Sequence, residues 1–166
     1  MKILIAYYSK TGNTERVARK IGDALIALAD DVEYEKINPM SINQKEDSFL
    51  KNGLYALVRK EVPIENNKFN LDDYDSIIFG TPVWAFSTTP PINSYLEDIE
   101  GVENKKIVAF VTMGGIGGNT TMDIIKSKVN KKGGNFLGGV TLSKEELENE
   151  VILKNKINQI IDVLRK

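Results

Sequence analysis

The sequence predicts an α/β fold: a five-stranded parallel sheet of strand order 2-1-3-4-5, with helices on both faces in three layers. Two observations carry that expectation. Short apolar runs of strand length alternate with longer segments whose apolar residues recur at helical spacing, and such alternation calls for a parallel sheet with right-handed crossovers. The first, third and fourth runs are the most continuously apolar, so they are central, while the second and fifth are edges. This order puts a switch point between strands one and three, where open α/β sheets bind ligands beyond the carboxyl ends of their strands.

The opening run Ile3-Leu4-Ile5-Ala6-Tyr7-Tyr8 breaks abruptly into Ser9-Lys10-Thr11-Gly12-Asn13-Thr14, after which Val17, Ile21, Ala24, Leu25 and Leu28 follow at helical spacing. In such a strand, loop and helix unit the first helical turn points unpaired N–H groups into the loop, and the macrodipole adds roughly half a positive charge. A phosphate fits there. The hydroxyls of Ser9, Thr11 and Thr14 and the amide of Asn13 are further donors, and Gly12 lets backbone come close to a ligand. A plain capped turn uses the same residue types, so the loop alone leaves both readings open.

Val32 to Ile37 alternates apolar and polar residues, as an edge strand does. Between Asn38 and Asp75 the pattern loosens. Phe49, Leu50, Leu54, Leu57 and Val58 predict the inner face of a short helix there, either a covering helix or a lid over a ligand. Ser76 to Gly80 and Lys106 to Val111 are continuous apolar runs, hence central strands. Between them Thr89 caps a helix with Pro90 in its first turn, and Ile92, Tyr95, Leu96 and Ile99 form its buried stripe. A helix using Met122, Ile125 and Val129 follows Gly118-Asn119. Asn135 to Leu142 is a glycine-interrupted edge strand, and Leu153, Ile157, Ile160, Ile161 and Leu164 face inward from a closing helix.

Two more loops open onto the same edge. Thr81-Pro82-Val83-Trp84-Ala85-Phe86-Ser87 holds the only tryptophan, either a plug in a core gap or a stacking platform above a ligand. Thr112-Met113-Gly114-Gly115-Ile116-Gly117-Gly118-Asn119-Thr120 carries four glycines, which either leave backbone open to a ligand or form a mobile connection. One phosphate-sized site beside two loops suited to a flat heterocycle points to a mononucleotide. Flavin mononucleotide (FMN) is the one that brings redox chemistry.

Composition narrows the field further. At 166 residues, with no linker or repeat, residues 1–166 are expected to form one domain. A formal charge of -1 with both signs interspersed lacks the basic stripe of a nucleic-acid binder. Neither a membrane-length apolar run nor a secretory leader pattern is present, so no membrane partner and a cytoplasmic location are expected. With no cysteine and no histidine, thiol redox chemistry, histidine triads and the usual zinc sites drop out, and demanding chemistry falls to an organic cofactor. Neither glycine-rich loop has the P-loop or dinucleotide spacing.

Over essentially its whole length the chain resembles the flavodoxin-like family, as a short-chain flavodoxin with some features of the NAD(P)H:quinone reductases of that fold. Ser9-Lys10-Thr11-Gly12-Asn13-Thr14 looks like the family's phosphate loop, and residues 81–87 and 112–120 stand where its two ring-binding loops lie. The resemblance implies non-covalent FMN: phosphate contacts from Ser9 to Thr14, Trp84 against one ring face, and backbone of Thr81, Pro82, Val83, Trp84, Ala85 and of Thr112, Met113, Gly114, Gly115 and Gly117 around the ring edges. It also implies that Lys10 and Arg16 point to solvent.

Three departures from the family pattern qualify its function. Where the usual flavodoxin has a flexible glycine after the stacking residue, this chain has Ala85-Phe86. A non-glycine residue at φ > 0 costs on the order of 1 kcal/mol, so the peptide flip that favours one-electron reduction is expected to be harder. No tyrosine covers the second ring face, and the near-neutral charge removes the acidic field typical of flavodoxins. The first expectation is an FMN redox protein passing electrons between partner proteins, as a monomer or weak dimer and with no catalytic side chain. The alternative is an FMN-dependent oxidoreductase giving hydride from NAD(P)H to a quinone or similar small-molecule acceptor. The third is a non-redox domain holding another phosphorylated ligand.

Overall fold

Five strands form one sheet in the order β2-β1-β3-β4-β5, every neighbouring pair parallel: β1 (Lys2–Tyr7), β2 (Asp31–Lys36), β3 (Ser76–Pro82), β4 (Lys106–Met113) and β5 (Asn135–Ser143). The structure is a computed structural model and describes residues 1–40, 61–65 and 67–166. The expected helix through Phe49 to Val58 lies outside the described residues. The helices are α1 (Asn13–Ile26), α2 (Pro90–Asp98), α3 (Gly118–Lys131), α4 (Lys144–Glu148) and α5 (Glu150–Leu164).

Alternation along the central strands divides the interior into two cores. Ile3, Ile5 and Tyr7 of β1 face one way, with Val108 and Phe110 of β4, and meet Val17, Ile21 and Leu25 of α1 and Leu153, Ile157, Ile160 and Leu164 of α5. Leu4 and Ala6 face the other way, with Ile77 and Phe79 of β3, and meet Ile92, Tyr95 and Leu96 of α2 and Ile125 and Val129 of α3. Met122 is only partly buried against this second core, because Thr121 takes the inward position beside it. Each of these buried branched side chains contributes about 1.5–3 kcal/mol over its exposed state. Continuous runs such as Ser-Ile-Ile-Phe-Gly in β3 therefore have to be central.

Both predicted edges are edges. β2 is only half-buried along most of its length, as its alternation implied. In β5 the register against β4 shifts between Ile107 and Val108, and Gly138 takes φ 130 beside this irregularity. A row of parallel crossovers brings the carboxyl ends of all five strands, and the loops that leave them, to one rim.

The β2 edge is tied by Glu33. Its carboxylate accepts from Lys68 Nζ at 2.7 Å and the Tyr74 hydroxyl at 2.6 Å, and Lys2 Nζ stands 3.2 Å away. Lys68 foremost, then Tyr74 and Lys2, hold this carboxyl down to about 2 from its usual 4.5. Because the folded-state value is depressed, the stabilisation is present above pH 4.5 and is lost as pH falls through the folded value. The side chain is 37% exposed, so screening limits the gain to about 1 kcal/mol. Glu33→Gln should be less stable by about that amount at pH 7. Melting curves taken at falling pH should converge with wild type, and a gap that stays constant down to pH 2 would refute the assignment.

Candidate functional site

At the rim, three loops and one short helix enclose a cleft of about 210 Å³. Lys10, Thr11, Asn13 and Thr14 come from the β1–α1 loop, Pro82, Val83 and Trp84 from the end of β3, and Thr112, Met113 and Gly114 from the end of β4. Lys144 and Leu147 of α4 complete the wall. Ten of the sixteen residues expected from the sequence thus line one cleft: Lys10, Thr11, Asn13, Thr14, Pro82, Val83, Trp84, Thr112, Met113 and Gly114.

The remaining six stand beside it. Gly12 is the residue before α1 and adopts φ 90, a conformation for which glycine is suited, with no atom within 4 Å of where a side chain would begin. No side chain caps the amino end of α1, so the hydroxyl- and amide-bearing residues of the loop are not used as caps. Ser9 holds a buried hydroxyl without a hydrogen-bond partner. Thr14 shares a 2.9 Å hydrogen bond with Thr112, tying the first loop to the third. Thr81 is fully buried and donates to the Pro82 carbonyl at 3.0 Å, so it supports the rim from behind. Gly115 is exposed, while Gly117 precedes α3 at φ 96.

Ala85 lies in a tight hairpin. Trp84 N–H donates to the Ser87 carbonyl at 3.0 Å and Ser87 N–H returns to Trp84 at 2.9 Å, with Ala85 at φ 48 and Phe86 at φ 61 between them. Two central residues at φ > 0 are the pattern of a type I′ turn, normally made by glycine and asparagine. The left-handed conformation that the sequence makes costly is therefore the resting one. A side chain on Gly117 would stand 3.0 Å from Val83 and 3.1 Å from the backbone of Phe86, so the third loop buttresses the strained turn. Ala85→Gly should relieve about 1–2 kcal/mol of strain against about 0.5–1 kcal/mol of added chain entropy. A net gain of about 0.5–1 kcal/mol in urea unfolding is expected; a loss would mean the turn is not strained.

Trp84 is half-buried, one side packed on the core and the other lining the cleft. It is both plug and wall. The Tyr8 ring meets it edge-on at 5.8 Å, and burial pushes the Tyr8 hydroxyl's pKa up. Lys10 is exposed, as expected, and its Nζ lies 5.1 Å from the Trp84 ring centroid, drawn by the ring's negative face. Arg16 is exposed but engaged, donating to Glu150 at 2.6 Å, and Lys20 reaches the same carboxylate at 2.9 Å. That pairing with α5 takes both cations away from the loop.

Residues 2–155 match the family model described as Flavodoxin. The chain belongs to the flavodoxin family. It is an FMN-binding redox protein of flavodoxin type, and the strand order expected from its sequence is that of the family. Among solved structures it is similar to a Lactobacillus acidophilus flavoprotein in complex with FMN, at 22% identity and TM-score 0.64, covering 89% of this chain and 96% of that one. It is also similar to an oxidised flavodoxin 2 from Bacillus cereus, at 21% identity and TM-score 0.65, covering 99% of each chain. A flavodoxin from the domain Archaea aligns over 99% of this chain and 97% of its own at 16% identity and TM-score 0.64. At such identities the likeness is one of fold.

Two wall residues of this flavodoxin escaped the sequence reading, Lys144 and Leu147. They sit on α4, which begins directly after β5 because Ser143 accepts from Glu146 N–H while the Glu146 side chain accepts from Ser143 N–H. Ser-Lys-Glu-Glu at 143–146 is a capping-box signature, and reading it as one would have put a helix on the rim. Among the described residues no helix is long and apolar enough to cross a membrane, and no acidic or histidine cluster suits a metal ion.

Proposed function

We propose that this flavodoxin holds FMN non-covalently in the rim cleft and passes electrons between redox partner proteins. The observation that carries this reading is the buried, unpartnered hydroxyl of Ser9 beside an amino end of α1 that no side chain caps. An orphaned buried hydroxyl costs about 1–3 kcal/mol, and a phosphate at this point would satisfy it together with the free N–H groups of the first turn. The donor set fits: it is rich in N–H and hydroxyl groups and has no carboxylate to repel an anion. In this reading Ser9 to Thr14 bind the phosphate, Trp84 stacks on one face of the flat ring, and backbone of residues 81–85 and 112–117 orients its edges. Bound FMN would supply one- and two-electron transfer, which falls to a cofactor in a chain without cysteine. Leu147, Val83 and Met113 exclude water from the cleft that they line.

The test is titration of the protein with FMN and with riboflavin, which lacks the phosphate. FMN should bind at least about 100-fold more tightly, since charge-assisted hydrogen bonds contribute about 1.5–3 kcal/mol each. Equal affinities would remove the phosphate assignment. A colourless protein that takes up neither flavin would favour the non-redox alternative.

One feature favours a second reading, an FMN-dependent NAD(P)H:quinone or similar oxidoreductase. At Gly114 and Gly115 nothing stands within 4 Å of where a side chain would begin, so that side of the cleft is open to a small molecule. Anaerobic stopped-flow mixing of the oxidised, FMN-loaded protein with NAD(P)H separates the two. Rapid bleaching of the flavin by NAD(P)H alone selects the enzyme; persistence of the oxidised flavin selects the carrier.

A further inference from the structure

Lys10 and Lys144 are the charged residues lining the cleft among the described residues, and both are cations from different elements of the fold. Other cations near the first helix are neutralised: Arg16 and Lys20 pair with Glu150, and Lys36 with Glu15. Among the described residues neither Lys10 nor Lys144 takes part in an ion pair. Lys10 is held at the wall by the Trp84 ring, 5.1 Å from its Nζ. Trp84, Val83, Met113 and Leu147 line the same space, while both lysines are exposed, so each acts on the cleft from its solvent-facing side with its field partly screened.

We propose that Lys10 and Lys144 favour the reduced flavin over the oxidised one and so raise the reduction potential of the bound cofactor; this rests on FMN occupying the cleft as proposed above. The phosphate has the same charge in both redox states, so any attraction between it and a lysine cancels from the potential. Only charge gained by the ring counts. Bound there, FMN would supply a ring that is neutral when oxidised and, above neutral pH, carries one negative charge after two electrons from a reduced partner protein, or from dithionite in the test, and one proton from water. Lys10 and Lys144, as cations of the cleft wall, would stabilise that charge in the reduced state alone.

The experiment uses flavin-loaded wild type, Lys10→Gln, Lys144→Gln, the double variant and the double Arg variant. Midpoint potentials are read by equilibration with a reference dye, and affinities for oxidised FMN and riboflavin by flavin fluorescence. The double Gln variant should lose about tenfold in affinity for reduced relative to oxidised flavin, which lowers a two-electron midpoint by about 30 mV. The double Arg variant, which keeps the charge, should stay near wild type. Equal potentials in all flavin-loaded proteins overturn the proposal and leave FMN binding intact. So does a loss of oxidised FMN affinity, with riboflavin affinity and potential unchanged, because the lysines would then serve the phosphate. Wild type that binds neither flavin removes the cofactor reading itself, and this proposal with it.

Discussion

Ser9→Ala should make the flavin-free protein more stable and its FMN complex weaker. In the free protein the Ser9 hydroxyl is buried without a partner, and deleting such a group returns its desolvation cost of about 1–3 kcal/mol. For a chain of this size that is a rise of roughly 2–4 °C in melting temperature per kcal/mol. In the complex the same deletion removes a hydrogen bond to a charged group, about 1.5–3 kcal/mol, so FMN should bind about tenfold or more weakly. Riboflavin affinity should barely move. Opposite signs from one substitution are the mark of a group kept for a ligand rather than for the fold. A drop in the stability of the free protein would mean that the hydroxyl has a structural role, and the main support for the phosphate position would go.

Gly139→Ala should be the most damaging conservative change in the sheet. Gly139 in β5 pairs with Ala109 in β4, and a side-chain carbon there would stand 2.0 Å from the Ala109 carbonyl oxygen. Backbone cannot step aside without breaking the β4–β5 ladder, so a loss of at least about 3 kcal/mol is expected. Gly114→Ala is the matching control. It lies in the open loop with nothing within 4 Å of the new carbon, and its effect should stay within about 0.5 kcal/mol. Urea unfolding of both variants decides the matter: equal effects would mean that β5 shifts freely along the edge. The result bears on function because β5 leads directly into α4, which carries Lys144 and Leu147 to the cleft wall.

Much of the site was legible because it is local. The hydroxyls of Ser9 to Thr14 follow one apolar strand and precede one amphipathic helix, so their place at a helix amino end is written in a dozen consecutive residues. Trp84 was identifiable as a loop residue, but whether it plugs the core or faces a ligand is decided by Tyr8 on one side and the cleft on the other. The resemblance implied that Lys10 faces solvent, and it is exposed, but its contact with a ring more than seventy positions away had no signal in the sequence. Lys144 and Leu147 were missed although their capping box was in view, because a helix start says nothing about which loops it will face.

By itself the sequence determined the α/β class, the central and edge strands and the position of the anion-ready loop. Each follows from a periodicity or a capping pattern confined to neighbouring residues, and burial of an apolar run leaves few alternatives. Only the tertiary structure decided that Ala85 and Phe86 rest in the left-handed region, and that two lysines share a wall beside Trp84. Those features come from pairs far apart in the chain, such as Gly117 against Phe86 and Thr14 against Thr112. Contact energies between such residues exist only once the sheet has brought the strand ends together, and no local pattern encodes them.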